Sequence, residues 1–172
     1  MTGHPGSPAM PSPWVERYLR LIPAAGSVLD LAAGGGRHTR LALERGYRVT
    51  ALDRDISALA LPGIEVIAHD LEDGRPLPFA GRRFDGVIVT NYLWRPLLSV
   101  LPDLVAPGGA LIYETFAQGH ERYGRPTNPD FLLAPGELLE MARGRLRVVA
   151  YEELEIAEPR PAKVQRLAAL SA

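Results

Sequence analysis

Three groups of residues in this 172-residue chain have the types and spacing to do chemistry. The first is VLDLAAGGGRHTRLALERG, Val28 to Gly46, where a hydrophobic run carrying Asp30 ends in Gly34, Gly35 and Gly36 before a helix-like segment. The second is a pair of acids that end later hydrophobic runs, Asp53 in RVTALDRD and Asp70 in IEVIAHD. The third is two aromatic and polar stretches, NYLWRP (Asn91 to Pro96) and ETFAQGHERYGRP (Glu114 to Pro126). Glycines carry no Cβ, so a ligand can approach their backbone closely. Carboxylates at strand ends accept hydrogen bonds from hydroxyls and amines. The glycine turn therefore holds a ligand, and the acids constrain which one.

A dinucleotide fits poorly. The G-x-G-x-x-G fingerprint needs a third glycine where Thr39 stands, and Asp30 beside the turn repels a pyrophosphate. A P-loop lacks its lysine and hydroxyl. A ligand with a cationic amino end and a ribose fits better. Asp30 then meets the amino group, directly or through water, and Gly34 to Gly36 allow close approach. Asp53 accepts the ribose hydroxyls, and Asp70 meets the exocyclic amine of a base. On the far side of the ligand, Tyr92, Trp94, Phe116 and Tyr123 are placed to exclude water and attract a cationic group through their ring faces. Glu114, His120 and Arg122 are the candidates to orient or deprotonate an acceptor. Plainer roles compete with several of these. Asp53 or Asp55 suits a helix N-cap, Asp70 a turn acid, His38 a solvated helix start, His69 a packed histidine, and Trp94 a plug at the core edge.

The elements that position these groups read as an alternation. WVERYLRLI (14–22) has helical spacing, and SVLDLAA is a short apolar strand of the kind buried on both faces of a parallel sheet. A helix from about Arg37 to Arg45 closes at Gly46. YRVTALD is a second strand and Ile56 to Leu61 a helix of about two turns. IEVIAHD, FDGVIVTNYL and ALIYETF are the third to fifth strands. A short helix runs from Pro96 to Val105, and PGELLEMARG is a helix near the end. RLRVVAYEELEI and AKVQRLAAL, joined by AEPRP, leave no room for a crossover helix and must pair antiparallel. The class is α/β, with a mostly parallel seven-stranded sheet ending in an antiparallel hairpin.

Composition narrows the field. The apolar and charged fractions, 47% and 23%, are those of an ordinary globular protein of one domain. A net charge of −1 does not favour nucleic acid or an anionic membrane. The absence of cysteine excludes disulfides, thiolate nucleophiles and cysteine-ligated zinc, and no other metal site is visible. No apolar run approaches the roughly 18 residues needed to span a bilayer. Residues 1–13, rich in Pro, Gly and Ser without a signal peptide's apolar centre, are expected to be a disordered lead-in to a single domain of residues 14–172. The expected location is the cytoplasm.

Taken together, VLDLAAGGG, ALDRD, AHDLED, FDGVIVTNYL and LVAPGGALIYETF resemble the successive motifs of class I S-adenosylmethionine-dependent methyltransferases in their small, core-only form. The turn VLDLAAGGGRH is also loosely similar to VLDLGCGxGRN of tellurite-resistance-type methyltransferases. The resemblance implies a Rossmann-like three-layer sandwich, S-adenosyl-L-methionine as methyl donor and S-adenosyl-L-homocysteine as product. It assigns Asp30 and the loop of Ala32, Ala33, Gly34, Gly35 and Gly36 to the methionine part. Asp53, followed by Arg54, takes the ribose, Asp70 with Leu71 the adenine, and Asn91 lies near the transferred methyl. Ala32 stands where the family usually has glycine, and the short connection before Pro62 trims the adenine side. The expected acceptor is a small molecule, with Glu114, His120 and Tyr92 as candidate catalytic residues. An RNA- or protein-modifying enzyme, a non-catalytic S-adenosylmethionine-binding protein and a nicotinamide-dependent oxidoreductase are the competing readings.

Overall fold

The computed structural model describes residues 9–172. Alternation along the strands sorts side chains onto two faces. In β1 (Ser27–Leu31), Leu29 and Leu31 face one way and Val28 the other; β4 (Phe84–Thr90) splits Val87 and Val89 from Ile88. In β5 (Val105–Phe116), Leu111 and Tyr113 oppose Ala110 and Ile112. All of these residues are fully buried, so the sheet is covered on both sides. One side packs beneath α3 (Arg95–Leu98), α4 (Leu101–Leu104) and α5 (Glu137–Ala142). The other packs beneath α1 (Pro13–Tyr18), the 3-10 turn Leu19–Leu21 and α2 (Arg37–Glu44). The result is a three-layer sandwich.

The remaining strands are β2 (Arg48–Asp53), β3 (Glu65–Ala68), β6 (Arg147–Ile156) and β7 (Ala162–Leu170). The sheet order is β3-β2-β1-β4-β5-β7-β6, parallel from β3 to β5 and antiparallel across both contacts of β7. The chain moves outward from β1 to β3, then returns to lay β4 on the other side of β1. That reversal opens a crevice beyond the carboxyl ends of β1 and β4, where ligands bind in doubly wound sheets. Because β7 runs antiparallel to β5, with Val164 opposite Phe116, the β6–β7 turn lies at the same edge.

Four local expectations change. Ile56 to Leu61 form turns, not a helix. The Leu59 amide closes on the Ile56 carbonyl at 3.0 Å and the Leu61 amide on the Leu59 carbonyl at 2.7 Å, spacings too tight for an α-helix. Pro62 has no amide to extend them, and buried Leu59 anchors the segment. The helix expected over Pro96 to Val105 is two single turns, because Pro102 has no amide to continue the ladder. Each turn instead has a proline at its start, where the missing amide costs nothing. The start of the described chain differs as well. Residues 1–8 lie outside the described residues, but Ser12 is buried and caps the Trp14 amide, and the helix begins at Pro13. Finally, β5 starts earlier, at Val105, taking in the Ala-Pro-Gly-Gly turn.

Candidate functional site

The turn after β1 is built from left-handed residues. Ala32 (φ +57°), Gly34 (+53°) and Gly36 (+74°) alternate with ordinary ones, and the Gly36 amide closes back on the Ala33 carbonyl at 2.9 Å. Holding alanine left-handed costs roughly 1–2 kcal/mol that glycine avoids. Asp53, at the end of β2, fastens the turn. Its Oδ2 accepts the Gly34 amide at 2.7 Å and its Oδ1 the Asp55 amide at 3.0 Å. A carboxylate offers about four acceptor positions, so Asp53 keeps lone pairs for a ligand.

A cavity of about 1000 Å³ opens above this turn. Ala32, Ala33, Gly34, Gly35, Asp53, Arg54, Asp70, Leu71 and Asn91 all border it. The expectations for β1, β2, β3 and β4 thus meet around one space. Gly36 and Asp30 do not border it. Gly36 caps α2, and a Cβ there would stand 2.9 Å from Leu59 Cδ2, so it is a packing residue. Asp30 is buried beneath the turn and accepts the Thr39 hydroxyl at 2.6 Å. Burial raises its carboxyl to about 6 against the lowering effects of the Thr39 hydroxyl and amide and of Arg37. Asp30 therefore ties β1 to α2 from below; the sequence reading placed it against an amino group, directly or through water. Asp70, in contrast, borders the cavity, and its Oδ1 accepts the Glu72 amide at 2.9 Å as a turn acid would.

Of the three candidate catalytic residues, only Tyr92 reaches the cavity. Its hydroxyl donates to Glu72 Oε1 at 3.1 Å. Burial first, and then the neighbouring Glu72 charge, push that hydroxyl well above the ordinary phenol range, so it stays protonated as a donor. Glu114 is buried and spoken for. It pairs with the Arg166 guanidinium and accepts the Ser12 hydroxyl at 2.8 Å. His120 is buried too, stacked on Phe116 with ring centroids 4.1 Å apart. The Lys163 amide donates to its Nδ1 at 3.4 Å, which leaves Nε2–H to donate to the Arg125 carbonyl at 3.0 Å. Both residues sit near the right edge of the sheet, but a sequence does not show which polar neighbours will claim them. Trp94 packs against the core, and Arg122 is held by Glu155 at 2.6 Å. His38 is likewise a network member. The Ser12 amide donates to its Nε2 at 2.9 Å, its Nδ1 lies 3.2 Å from the Thr90 hydroxyl, and burial lowers its pKa to about 3.

Several bordering residues had no signal in the sequence. His69, expected to be a packed histidine, is buried and borders the cavity, and its Nε2 has no hydrogen-bond partner among the described residues. Glu72, Phe131 and Arg160 also border it. Arg160 lies in the β6–β7 turn, and only the antiparallel direction of β7 brings it there. A second cavity of about 250 Å³ adjoins the first, sharing Glu72, Asn91, Tyr92 and Phe131 and adding Leu93, Thr115, Phe116 and Pro126.

A family model described as a methyltransferase domain matches residues 29–112. The chain is 37% identical over 101 residues to the malonyl-[acyl-carrier protein] O-methyltransferase of Salmonella typhimurium, a match covering 54% of this chain and 40% of that one. It spans less than half the length of the curated relatives it matches, 40%, 13% and 25% in turn. Among solved structures, TehB from Haemophilus influenzae superposes with a TM-score of 0.73 at 18% identity, over 91% of this chain and 61% of that one. The 1,6-didemethyltoxoflavin-N1-methyltransferase of Burkholderia thailandensis, solved with 1,6-didemethyltoxoflavin and S-adenosylhomocysteine bound, gives 0.68 at 20% identity over 93% and 77%. At such identities the likeness is one of fold.

Proposed function

We propose that this chain is a class I S-adenosylmethionine-dependent methyltransferase that methylates a small-molecule acceptor in the cytoplasm, with the larger cavity receiving the methyl donor; the methyltransferase-domain match over residues 29–112 supports the reading. One observation carries the reading: the lining of that cavity comes from the carboxyl ends of β1, β2, β3 and β4, each contributing bare backbone or a hydrogen-bonding side chain. The local chemistry suits the donor. A Cβ at Gly34 or Gly35 would meet nothing within 4 Å, so their backbone faces open space. His69 supplies a buried ring nitrogen that has no partner among the described residues.

In this reading Ala32 to Gly35 line the methionine part. Asp53 takes the ribose hydroxyls with its remaining lone pairs, Asp70 and Leu71 flank the adenine, and Asn91 lies beside the methyl. Asp30 acts from beneath, holding the turn through Thr39. When bound, S-adenosylmethionine supplies a sulfonium methyl group for in-line displacement by an acceptor lone pair. The contribution of the chain is then alignment and exclusion of water, which can account for a large part of the barrier. A small-molecule acceptor is favoured by the net charge of −1. It is in keeping with the small heteroaromatic named with the Burkholderia thailandensis structure.

The test is calorimetric titration with S-adenosylhomocysteine. The wild-type chain should bind, and Asp53→Ala should bind about 1.5–3 kcal/mol more weakly, the scale for losing hydrogen bonds to a charged group. Equal affinities would remove Asp53 from the site, and no binding by the wild type would end the proposal.

A further inference from the structure

The smaller cavity has a chemistry of its own. Its walls are the rings of Tyr92, Phe116 and Phe131 together with Leu93 and Pro126, and its polar groups are Glu72, Asn91 and Thr115. The segments that carry these residues are anchored. The Tyr113 hydroxyl donates to the Tyr92 carbonyl at 2.8 Å, and Phe116 stacks on His120. Phe131 rides on the 3-10 turn Pro129–Phe131, which Arg95 grips by donating to the carbonyls of Asp130 and Leu132, both at 2.8 Å, while its Nε binds Glu137 at 2.8 Å. Three aromatic residues on anchored segments therefore border a space of about 250 Å³.

Size and polarity together define an occupant. Drug-sized ligands occupy roughly 300–1,000 Å³, so this cavity suits a molecule of one ring or two fused rings. Flat rings pack against aromatic walls in offset or edge-on arrangements whose attraction exceeds that of area burial alone. The one ionisable acid is Glu72. Its Oε1 already takes the Tyr92 hydroxyl, while its Oε2 accepts no hydrogen bond among the described residues. An ionised carboxylate only accepts, so the occupant must present a donor.

Resting on the methyl-donor reading of the larger cavity, we propose that the smaller one binds the methyl acceptor, a planar aromatic molecule of one or two rings that presents an N–H or O–H to Glu72. The four shared residues put Glu72 and Tyr92 at the junction of the two cavities, where the acceptor meets the methyl group. The acceptor heteroatom gives its lone pair to the methyl carbon, the carbon–sulfur bond breaks with its electron pair left on sulfur, and the heteroatom's proton passes to the Glu72 carboxylate. Tyr92 steadies that carboxylate from the other side. Phe131, exposed at the lip, covers the ring once it is seated.

Ligand-observed NMR on the full chain saturated with S-adenosylhomocysteine tests the assignment. The probes are phenol, aniline and indole, set against cyclohexanol, cyclohexylamine and octahydroindole. The aromatic three should bind at least tenfold more tightly than their saturated counterparts. Glu72→Gln and Phe131→Ala, both at solvent-accessible positions, should each weaken them at least fivefold. Equal binding of saturated and aromatic probes, or variants that bind like wild type, would overturn the proposal. Displacement of the aromatic probes by a mixed-sequence RNA octamer would overturn it in favour of a macromolecule whose base enters the cavity. Failure of S-adenosylhomocysteine itself to bind would instead sink the methyl-donor reading, and the acceptor assignment with it.

Discussion

At the scale of single residues, glycine positions separate conformation from space. Gly34 and Gly35 both leave open space where a Cβ would stand, but only Gly34 is left-handed. A valine at 34 would be strained whatever the cavity holds, whereas one at 35 adds bulk alone. Gly35→Val is therefore expected to abolish S-adenosylhomocysteine binding in calorimetry while moving the urea-unfolding free energy by no more than about 0.5 kcal/mol, as at unconstrained surface sites. Asp53, Asp70 and the glycine turn were legible in the sequence because each ends an apolar run, and a run's end fixes an edge of the sheet. Glu114 and His120 were misread for the complementary reason. Their place near that edge was legible, but the partners that bury them, Ser12, Arg166, the Lys163 amide and the Arg125 carbonyl, come from 5 to 102 residues away. Glu72 and Phe131 sit in loops whose period carries no information about direction.

Elements were legible where packing alone decides them. Short apolar runs gave all seven strands and the short AEPRP link the closing hairpin, whereas the connection expected as one helix over Pro96 to Val105 turned on proline. Packing between layers is tight at Gly86 in β4, beneath Ile22. A Cβ there would lie 2.2 Å from Ile22 Cδ1 and 2.8 Å from Cγ1. Gly86→Ala should cost about 1–3 kcal/mol of unfolding free energy, the range for overpacking a filled core. Urea denaturation monitored by circular dichroism reads it directly, and an unchanged midpoint would mean that the segment carrying Ile22 shifts away from the sheet freely.

For the molecule as a whole, two buried groups give opposite responses to acid. His38 has its pKa lowered from 6.5 to about 3, so the unfolded chain takes up a proton that the fold refuses, and this contribution to stability falls as pH drops from 6.5 toward 3. Asp30 is raised from 3.8 to about 6, so its contribution is complete below 3.8 and is lost as pH rises through 6. Between pH 4 and 6 the two slopes, each about 1 kcal/mol per pH unit, nearly cancel. Asp30→Asn should expose the histidine slope, making stability fall as pH is lowered across that window more steeply than in the wild type. Parallel urea titrations of the two proteins would check it, and identical pH profiles would refute the opposition. The topology has a practical corollary for anyone handling this protein. Ala9 borders the larger cavity, whereas β7, running antiparallel, ends with Leu170 opposite Ala110, at the far side of the sheet. An affinity tag fused ahead of residue 9 would hang over the mouth of the binding cleft, while one fused after Ala172 would emerge from the opposite edge and leave that entrance clear.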